Sequence, residues 1–156
     1  MNANRIKLLL VADEDDFRRS CAKWMQQKGW DVHKTACFAG AWDKLENIQF
    51  DVAVLDLSMS GLELLKRIRV AEIDVEVVML TSENTGASAL AAMKLGACDL
   101  LSKPCSLSKL ENHILLAHQR GQLRKENQQL RAIISRSRGK SDLIWSPSVL
   151  NDVTWN

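Results

Sequence analysis

The segment that most restricts the fold of this chain is Asp51-Val52-Ala53-Val54-Leu55-Asp56, a short apolar run that ends on a carboxylate. Consecutive apolar residues rich in β-branched side chains favour a strand that is buried on both faces of a parallel sheet. Ligands of open α/β sheets bind at the carboxyl ends of the strands. The run therefore predicts that Asp56 lies at a functional site.

Three other apolar runs also end in polar or charged side chains. Ile6–Val11 precedes the acidic cluster Asp13–Asp16, Val75–Leu80 precedes Thr81, and Leu100-Leu101 precedes Ser102-Lys103-Pro104. If these strands are neighbours and parallel, acids, a hydroxyl and an ammonium meet at one edge of the sheet. That combination predicts a site for a divalent metal and a phosphoryl group.

Segments with helical spacing of apolar residues alternate with the strands. The predicted helices start at Asp15 or Asp16, which would cap the first one, and then cover Ala39–Ile48, Leu62–Ala71, Gly86–Leu95 and a segment from Ser106 onward. The fifth predicted strand is Trp30–Lys34, and the strand that ends at Leu80 is predicted to begin at Ile73. Five strands alternating with helices predict an α/β fold with a doubly wound five-stranded parallel sheet.

The composition is that of one globular domain with an appendage. The chain has 156 residues, of which 46% are hydrophobic and 26% charged, and no apolar run is long enough for a signal peptide or a membrane span. The four cysteines lack C-x-x-C spacing, which favours reduced and mostly buried thiols over a metal or disulfide site. We therefore expect a cytoplasmic protein that does not contact the membrane.

The charge is distributed unevenly along the chain. Residues 1–118 hold 14 Lys and Arg against 16 Asp and Glu, a net charge of −2, whereas residues 119–156 hold 7 against 3, a net charge of +4. The basic segment 119–140 contains no aromatic residue and no motif that reads a nucleic-acid groove. A solvated helix face is therefore favoured over direct nucleic-acid binding.

The C-terminal helix carries a short heptad pattern. Leu116, Leu123 and Leu130 recur every seven residues, Asn127 and Ile134 lie four positions after the last two, and Gly121 interrupts the pattern. This pattern is typical of a two-stranded coiled coil, in which a polar Asn fixes the register. We expect a homodimer through this helix; the alternative is a single helix that lies on its own domain. The predicted division is a domain at 1–118, a helical linker at 119–137 and a tail at 138–156.

The ordered set of acidic cluster, Asp56, Thr81 and Lys103-Pro104, each after a short apolar strand, resembles the receiver domain of bacterial two-component response regulators. The resemblance covers roughly residues 5–117. It implies that a sensor histidine kinase phosphorylates Asp56 and that the domain signals by protein contact, without turning over a substrate as an enzyme does.

The resemblance also implies a role for each residue of the site. Mg²⁺ would be bound by Asp13, Asp56 and the backbone carbonyl of Ser58, with Glu14 as a further candidate, while Thr81 and Lys103 would contact the phosphoryl group. The Lys103-Pro104 peptide bond would be cis, as in the family.

The sequence departs from the family pattern at three places. Ala12 replaces the first of two adjacent acids, the loop after Asp56 is shorter and lacks its Pro, and Leu100 replaces an aromatic residue. These departures keep open a degenerate receiver, which would act as an interaction or dimerisation module without phosphorylation. A phosphatase-like enzyme with an Asp nucleophile is disfavoured, because Ser58 stands where that class has a second Asp.

The segment Asp142–Leu150 is similar to the entry of the ATPase domain in enhancer-binding regulators, although Trp145 replaces a Gly there. The similarity implies a regulator of that type, in which 138–156 is a remnant of the start of an output domain; the chain is then either cut at a domain boundary or a natural protein that has lost its output domain.

Overall fold

The computed structural model describes residues 5–57, 61–82 and 86–141. The predictions that concern Ser58, the loop after Asp56 and the segment 142–156 fall outside the described residues. Contacts between Cα atoms divide the chain into two units, Met1–Gly121 and Gln122–Asn156. The three-part division expected from the sequence stays a prediction.

One parallel sheet of five strands lies within the described part of the first unit. In chain order the strands are β1 Lys7–Val11, β2 Asp31–Thr35, β3 Val52–Asp56, β4 Glu76–Thr81 and β5 Asp99–Ser102. Their spatial order is β2-β1-β3-β4-β5, and every neighbouring pair is parallel. The predicted doubly wound sheet is confirmed, with β3 at its centre.

Helices connect the strands and cover both faces of the sheet. They are α1 Asp15–Gln26, α2 Phe38–Asn47, α3 Gly61–Val70, α4 Gly86–Lys94 and α5 Leu107–Ser141. Successive strand residues point to opposite faces, so Val52 and Val54 pack into one buried cluster with α1 and α5, while Ala53 and Leu55 pack into another with α2 and α3. All of β3 is buried, as its apolar sequence predicted.

Several element boundaries differ by a residue or more from those expected, and two of the differences have a clear local cause. Helix α1 has Glu14 as its N-cap, in an extended conformation, so the expectation that Asp15 or Asp16 caps it is wrong; both lie in the first turn. Strand β4 begins at Glu76, not at Ile73, because the chain leaves α3 through a turn in which Glu72 has a φ of 56° and the Ile73 amide donates to Ile68.

Helix α5 begins as predicted. The Ser106 hydroxyl accepts a hydrogen bond of 3.1 Å from the Lys109 amide, and Leu110, Ile114 and Ala117 are buried against the sheet. Gly121 does not interrupt the helix, which continues to Ser141. A Cβ at Gly121 would come within 3.0 Å of the Glu76 side chain, so the glycine allows α5 to approach the start of β4 closely.

The cysteines only partly match the expectation. All four are free thiols, but Cys21 alone among them is buried, Cys37 is exposed, and Cys98 and Cys105 are half-buried. Cys37 is exposed because it is the N-cap of α2, where its sulfur accepts a hydrogen bond from the Gly40 amide. None of the helices in the described ranges is both long and apolar enough to cross a membrane.

Candidate phosphoacceptor site

Asp56 is the last residue of the central strand and is completely buried. It is in register with Leu80 on β4, so Thr81 follows at the neighbouring strand end. The next element begins directly against it, because a Cβ at Gly61 would lie 2.7 Å from the Asp56 carbonyl oxygen. A carboxylate buried at this position has to be neutralised by a nearby group.

Lys103 supplies that neutralisation. Thr81 is in register with Ser102, and the Lys103 amide donates a hydrogen bond of 2.7 Å to the Thr81 carbonyl, which fixes where the lysine leaves the sheet. Its ammonium donates a short hydrogen bond to the Asp56 carboxylate. The Lys103-Pro104 bond is cis, as the resemblance implied.

Two further groups surround the Lys103 ammonium. Glu14 forms an ion pair of 3.3 Å with it, and the ring of Phe17 lies 5.4 Å from it. Partial burial by itself lowers the pKa of Lys103, but the hydrogen bonds and charges of Asp56 and Glu14 outweigh burial and leave the pKa raised. Lys103 is therefore charged at neutral pH, as the counter-ion of two carboxylates.

The structure separates the two adjacent acids Asp13 and Glu14. Asp13 is exposed and forms no hydrogen bond or ion pair with any described residue, whereas Glu14, the further candidate ligand, contacts Lys103. Glu14 can do so because it is the extended N-cap of α1, where the chain leaves the alternation of β1. Whether Asp13 or Glu14 binds a metal stays a prediction.

Ala12 leaves a gap in the negative charge of the site. Its side chain is fully buried, its amide donates to Thr35, and its carbonyl accepts a hydrogen bond of 2.7 Å from Arg18. The backbone therefore follows a fixed path at this position with a methyl group in place of a carboxylate.

Thr81 completes the set that the sheet assembles. It ends β4, is 95% buried, and lies beside the strand that ends on Asp56. The structure thus brings Asp56, Thr81, Lys103 and Glu14 to one edge of the sheet. Phe17 was missed as a site residue; its place three residues after Glu14, on the same face of α1, was the available signal.

An open cleft of about 360 Å³ lies over the lysine. Its lining residues are Glu14, Phe17, Ser82, Lys103, Pro104 and Cys105. Asp56 is not among them, because it lies below the Lys103 ammonium. A ligand that enters the cleft therefore meets Lys103 and Glu14 before it meets the buried carboxylate.

The donor groups present suit a hard divalent cation. Among the residues that the structure describes, no three His, Cys, Asp or Glu side chains converge on one point. Mg²⁺ does not need three, since it usually binds one or two carboxylates and keeps several waters. Asp56, Asp13 and Glu14 are carboxylates of the kind that Mg²⁺ binds.

Comparison with known proteins gives a consistent family assignment. Residues 8–115 match the response regulator receiver domain. The chain is 32% identical over 111 residues to the photosynthetic apparatus regulatory protein RegA of Rhodobacter capsulatus, an alignment that covers 69% of this chain and 60% of RegA. It is 30% identical over 145 residues to the alginate biosynthesis transcriptional regulatory protein AlgB of Pseudomonas aeruginosa, covering 91% of this chain and 32% of AlgB.

A solved structure gives the same result. The chain superposes on NtrX from Brucella abortus with a TM-score of 0.76 and 25% sequence identity, over 81% of this chain and 29% of NtrX. The chain spans less than two thirds of the length of each of these relatives. The similarity therefore concerns a part of each relative.

Proposed function

The chain belongs to the response regulator receiver family, and we propose that it accepts a phosphoryl group on Asp56 from a sensor histidine kinase in a Mg²⁺-dependent reaction. The phosphorylated domain would signal by protein contact and would not act as an enzyme with turnover. The observation that carries the proposal is the buried Asp56 carboxylate at the end of the central strand, paired with Lys103.

In the transfer, one bond to phosphorus forms and one bond to phosphorus breaks. An Asp56 oxygen forms a P–O bond while the bond between phosphorus and the donor nitrogen of the kinase histidine breaks. Lys103 and the Thr81 hydroxyl would hold the oxygens of the transferred group, because charge on these oxygens is what fixed donors stabilise in phosphoryl transfer. When bound by Asp56 with Asp13 or Glu14, and in the family also by the Ser58 carbonyl, Mg²⁺ would supply further positive charge.

Lys103 also controls access to the acceptor. Its ammonium covers the fully buried Asp56 carboxylate and lines the open cleft. A phosphodonor must therefore displace the ammonium from the Asp56 oxygen, and Glu14, at 3.3 Å, is the group that can retain it meanwhile. This movement keeps the lysine beside the incoming negative charge.

Mass spectrometry after incubation with acetyl phosphate and Mg²⁺ tests the acceptor. We expect one labile phosphoryl group on the native chain and none on Asp56→Asn, while the control Asp43→Asn, an exposed acid on α2, is phosphorylated normally. A native chain that gains no mass at saturating donor would contradict the proposal. It would favour the degenerate receiver, for which the loss of the acid at Ala12 is the physical reason.

We also propose that α5 pairs two chains. Along this helix Leu123 is 65% exposed, Leu130 51% and Ile134 52%, at the heptad spacing expected of a seam. Burying two Leu per chain contributes roughly 3–6 kcal/mol before the cost of association, which supports a weak dimer. Sedimentation should show a concentration-dependent dimer that Leu123→Gln weakens and that Leu90→Gln, an exposed leucine on α4, does not. A native chain that stays monomeric at high concentration would rule the seam out.

The similarity to AlgB and the segment Asp142–Leu150 support a further proposal, that the chain is the receiver part of an enhancer-binding transcription regulator in the cytoplasm. In that arrangement residues 1–118 form the receiver and 119–137 the linker, and another part of the regulator contacts DNA. A gel-shift assay tests this division of roles. We expect this chain not to shift promoter DNA, and a regulator that also carries the DNA-contacting part to shift it.

A further inference from the structure

A groove between α2 and α3 is not used by the site described above. It has a volume of about 520 Å³ and is lined by Phe38, Glu63, Lys66, Arg67 and Val70. We call it the α2–α3 groove. Its floor is the half-buried ring of Phe38, and its exposed walls come from α3.

The Arg67 guanidinium lies against two aromatic rings of α2. Its guanidinium carbon lies 4.9 Å from the ring centroid of Trp42 and 5.7 Å from that of Phe38. Within the described residues neither Arg67 nor Lys66 forms an ion pair. An arginine stacked on rings keeps its N–H groups available at its edge and loses little further freedom on binding a carboxylate.

Val70, at the C-terminal end of α3, supplies an apolar wall. It is 83% exposed, the largest exposed fraction among the large apolar side chains that the structure describes. Single exposed apolar residues are common on protein surfaces. Here the exposed valine lies in the same groove as the aromatic ring of Phe38 and the guanidinium of Arg67, and aromatic residues and Arg are enriched at protein interfaces.

We propose that the α2–α3 groove binds an acidic segment of a partner protein. An apolar side chain of the partner would lie against Phe38 and Val70, and a neighbouring carboxylate would accept two parallel hydrogen bonds from Arg67. Glu63 repels an acid near the start of α3 and so orients the segment with its carboxylates toward Lys66 and Arg67. Two cations beside a Glu are too few for binding to a nucleic-acid backbone, which needs an extended basic surface.

The test uses the full-length chain labelled with ¹⁵N. Two short acetylated and amidated peptides serve as probes, with Leu at helical spacing and either Glu or Gln between the leucines. We expect the Glu peptide to shift the backbone resonances of residues 38–42 and 63–70. Its affinity should exceed that of the Gln peptide by about tenfold or more, the effect of one charge-assisted pair.

Variants separate the contributions. Arg67→Gln should reduce the affinity for the Glu peptide by about tenfold or more, and Arg67→Lys should lose part of it because a lysine lacks the planar fork. Arg5→Gln, which removes an exposed arginine elsewhere, is the matched control and should bind normally. All three replace exposed residues, and circular dichroism checks that they fold.

Three results would overturn the proposal. They are equal binding of the Glu and Gln peptides, unchanged affinity in Arg67→Gln, and no shift in the groove with either peptide at millimolar concentration. A short DNA duplex that produced the same shifts as the Glu peptide would assign the groove to nucleic acid instead. Phosphorylation of Asp56 does not enter the test, so its outcome is independent of the function proposed above.

Discussion

Lys103→Met should destabilise the protein because it leaves a buried carboxylate without its counter-ion. Asp56 is 0% exposed, and the Lys103 side chain that covers it is 13% exposed. Removal of one partner from a buried ion pair typically costs about 3–5 kcal/mol. We expect about 3 kcal/mol here, at the lower end, since Lys103 lines an open cleft and water can take part of its place. Asp56→Asn should cost less, because Lys103 keeps Glu14 and is nearer to solvent.

Urea unfolding of the four proteins in a double-mutant cycle measures this coupling. The double variant Asp56→Asn/Lys103→Met should be more stable than the sum of the single losses indicates, by about 1–3 kcal/mol. Mg²⁺ should restore stability to Lys103→Met more than to the double variant, because a cation bound at Asp56 replaces the lost ammonium and ligand binding stabilises the folded state. Additive losses, or a Lys103→Met variant as stable as the native chain, would refute the argument that the pair is energetically coupled.

Four other predictions concern Lys103, the cysteines, two glycines and Glu14. The pKa of Lys103 is raised in the folded state above its ordinary value of 10.5. The charged lysine therefore contributes its full stability below its ordinary pKa of 10.5, and this contribution is lost as the pH rises through the pKa of the folded state. The stability difference between the native chain and Lys103→Met should shrink only above about pH 10. Burial raises the pKa of the Cys21 thiol to about 12, so iodoacetamide at pH 8 should label the exposed Cys37 and spare Cys21, as peptide mass mapping would show. Gly61→Ala should cost about 1–3 kcal/mol in urea unfolding, because its Cβ would lie 2.7 Å from the Asp56 carbonyl oxygen, whereas Gly121→Ala meets only the flexible Glu76 side chain and should cost less than about 1 kcal/mol. Glu14→Gln should slow phosphorylation by acetyl phosphate while the exposed Asp16→Asn does not, and equal rates for both would show that the contact between Glu14 and Lys103 has no role in the reaction.

Sequence reasoning predicted the elements that depend on local pattern. The apolar runs identified β1, β3 and β5, and the polar residues after them identified Asp56, Thr81 and Lys103, because parallel strands bring their carboxyl ends to one edge. Sequence reasoning failed at a residue that lies beyond the end of a strand, where side chains no longer alternate between the two faces of the sheet. The contact between Glu14 and Lys103 was not predicted, because β1 already ends at Val11 and the extended N-cap turns Glu14 toward Lys103.

Gly121 shows a second limit of the same kind. In the sequence it reads as an interruption of the heptad pattern, because glycine weakens a helix. The structure adds a tertiary contact, in which a Cβ at Gly121 would lie 3.0 Å from the Glu76 side chain. Helix propensity depends on the local sequence, so it does not predict a contact between residues that are 45 positions apart in the chain.

The replacement of an acid by Ala12 lowers the negative charge at the sheet edge. Asp13, Glu14 and Asp56 carry three negative charges, and Lys103 carries one positive charge, which leaves a net charge of −2 for one divalent cation to balance. A further acid at position 12 would bring the net charge to −3 and strengthen cation binding, but the residual repulsion would destabilise the resting state. Phosphorylation replaces the single charge of Asp56 with about two negative charges on a larger group, and Lys103 is then attracted more strongly to the phosphoryl oxygens than to Glu14. Release of Glu14 from Lys103 is thus the first change that phosphorylation would cause at the N-terminus of α1, and it requires no aromatic residue at Leu100.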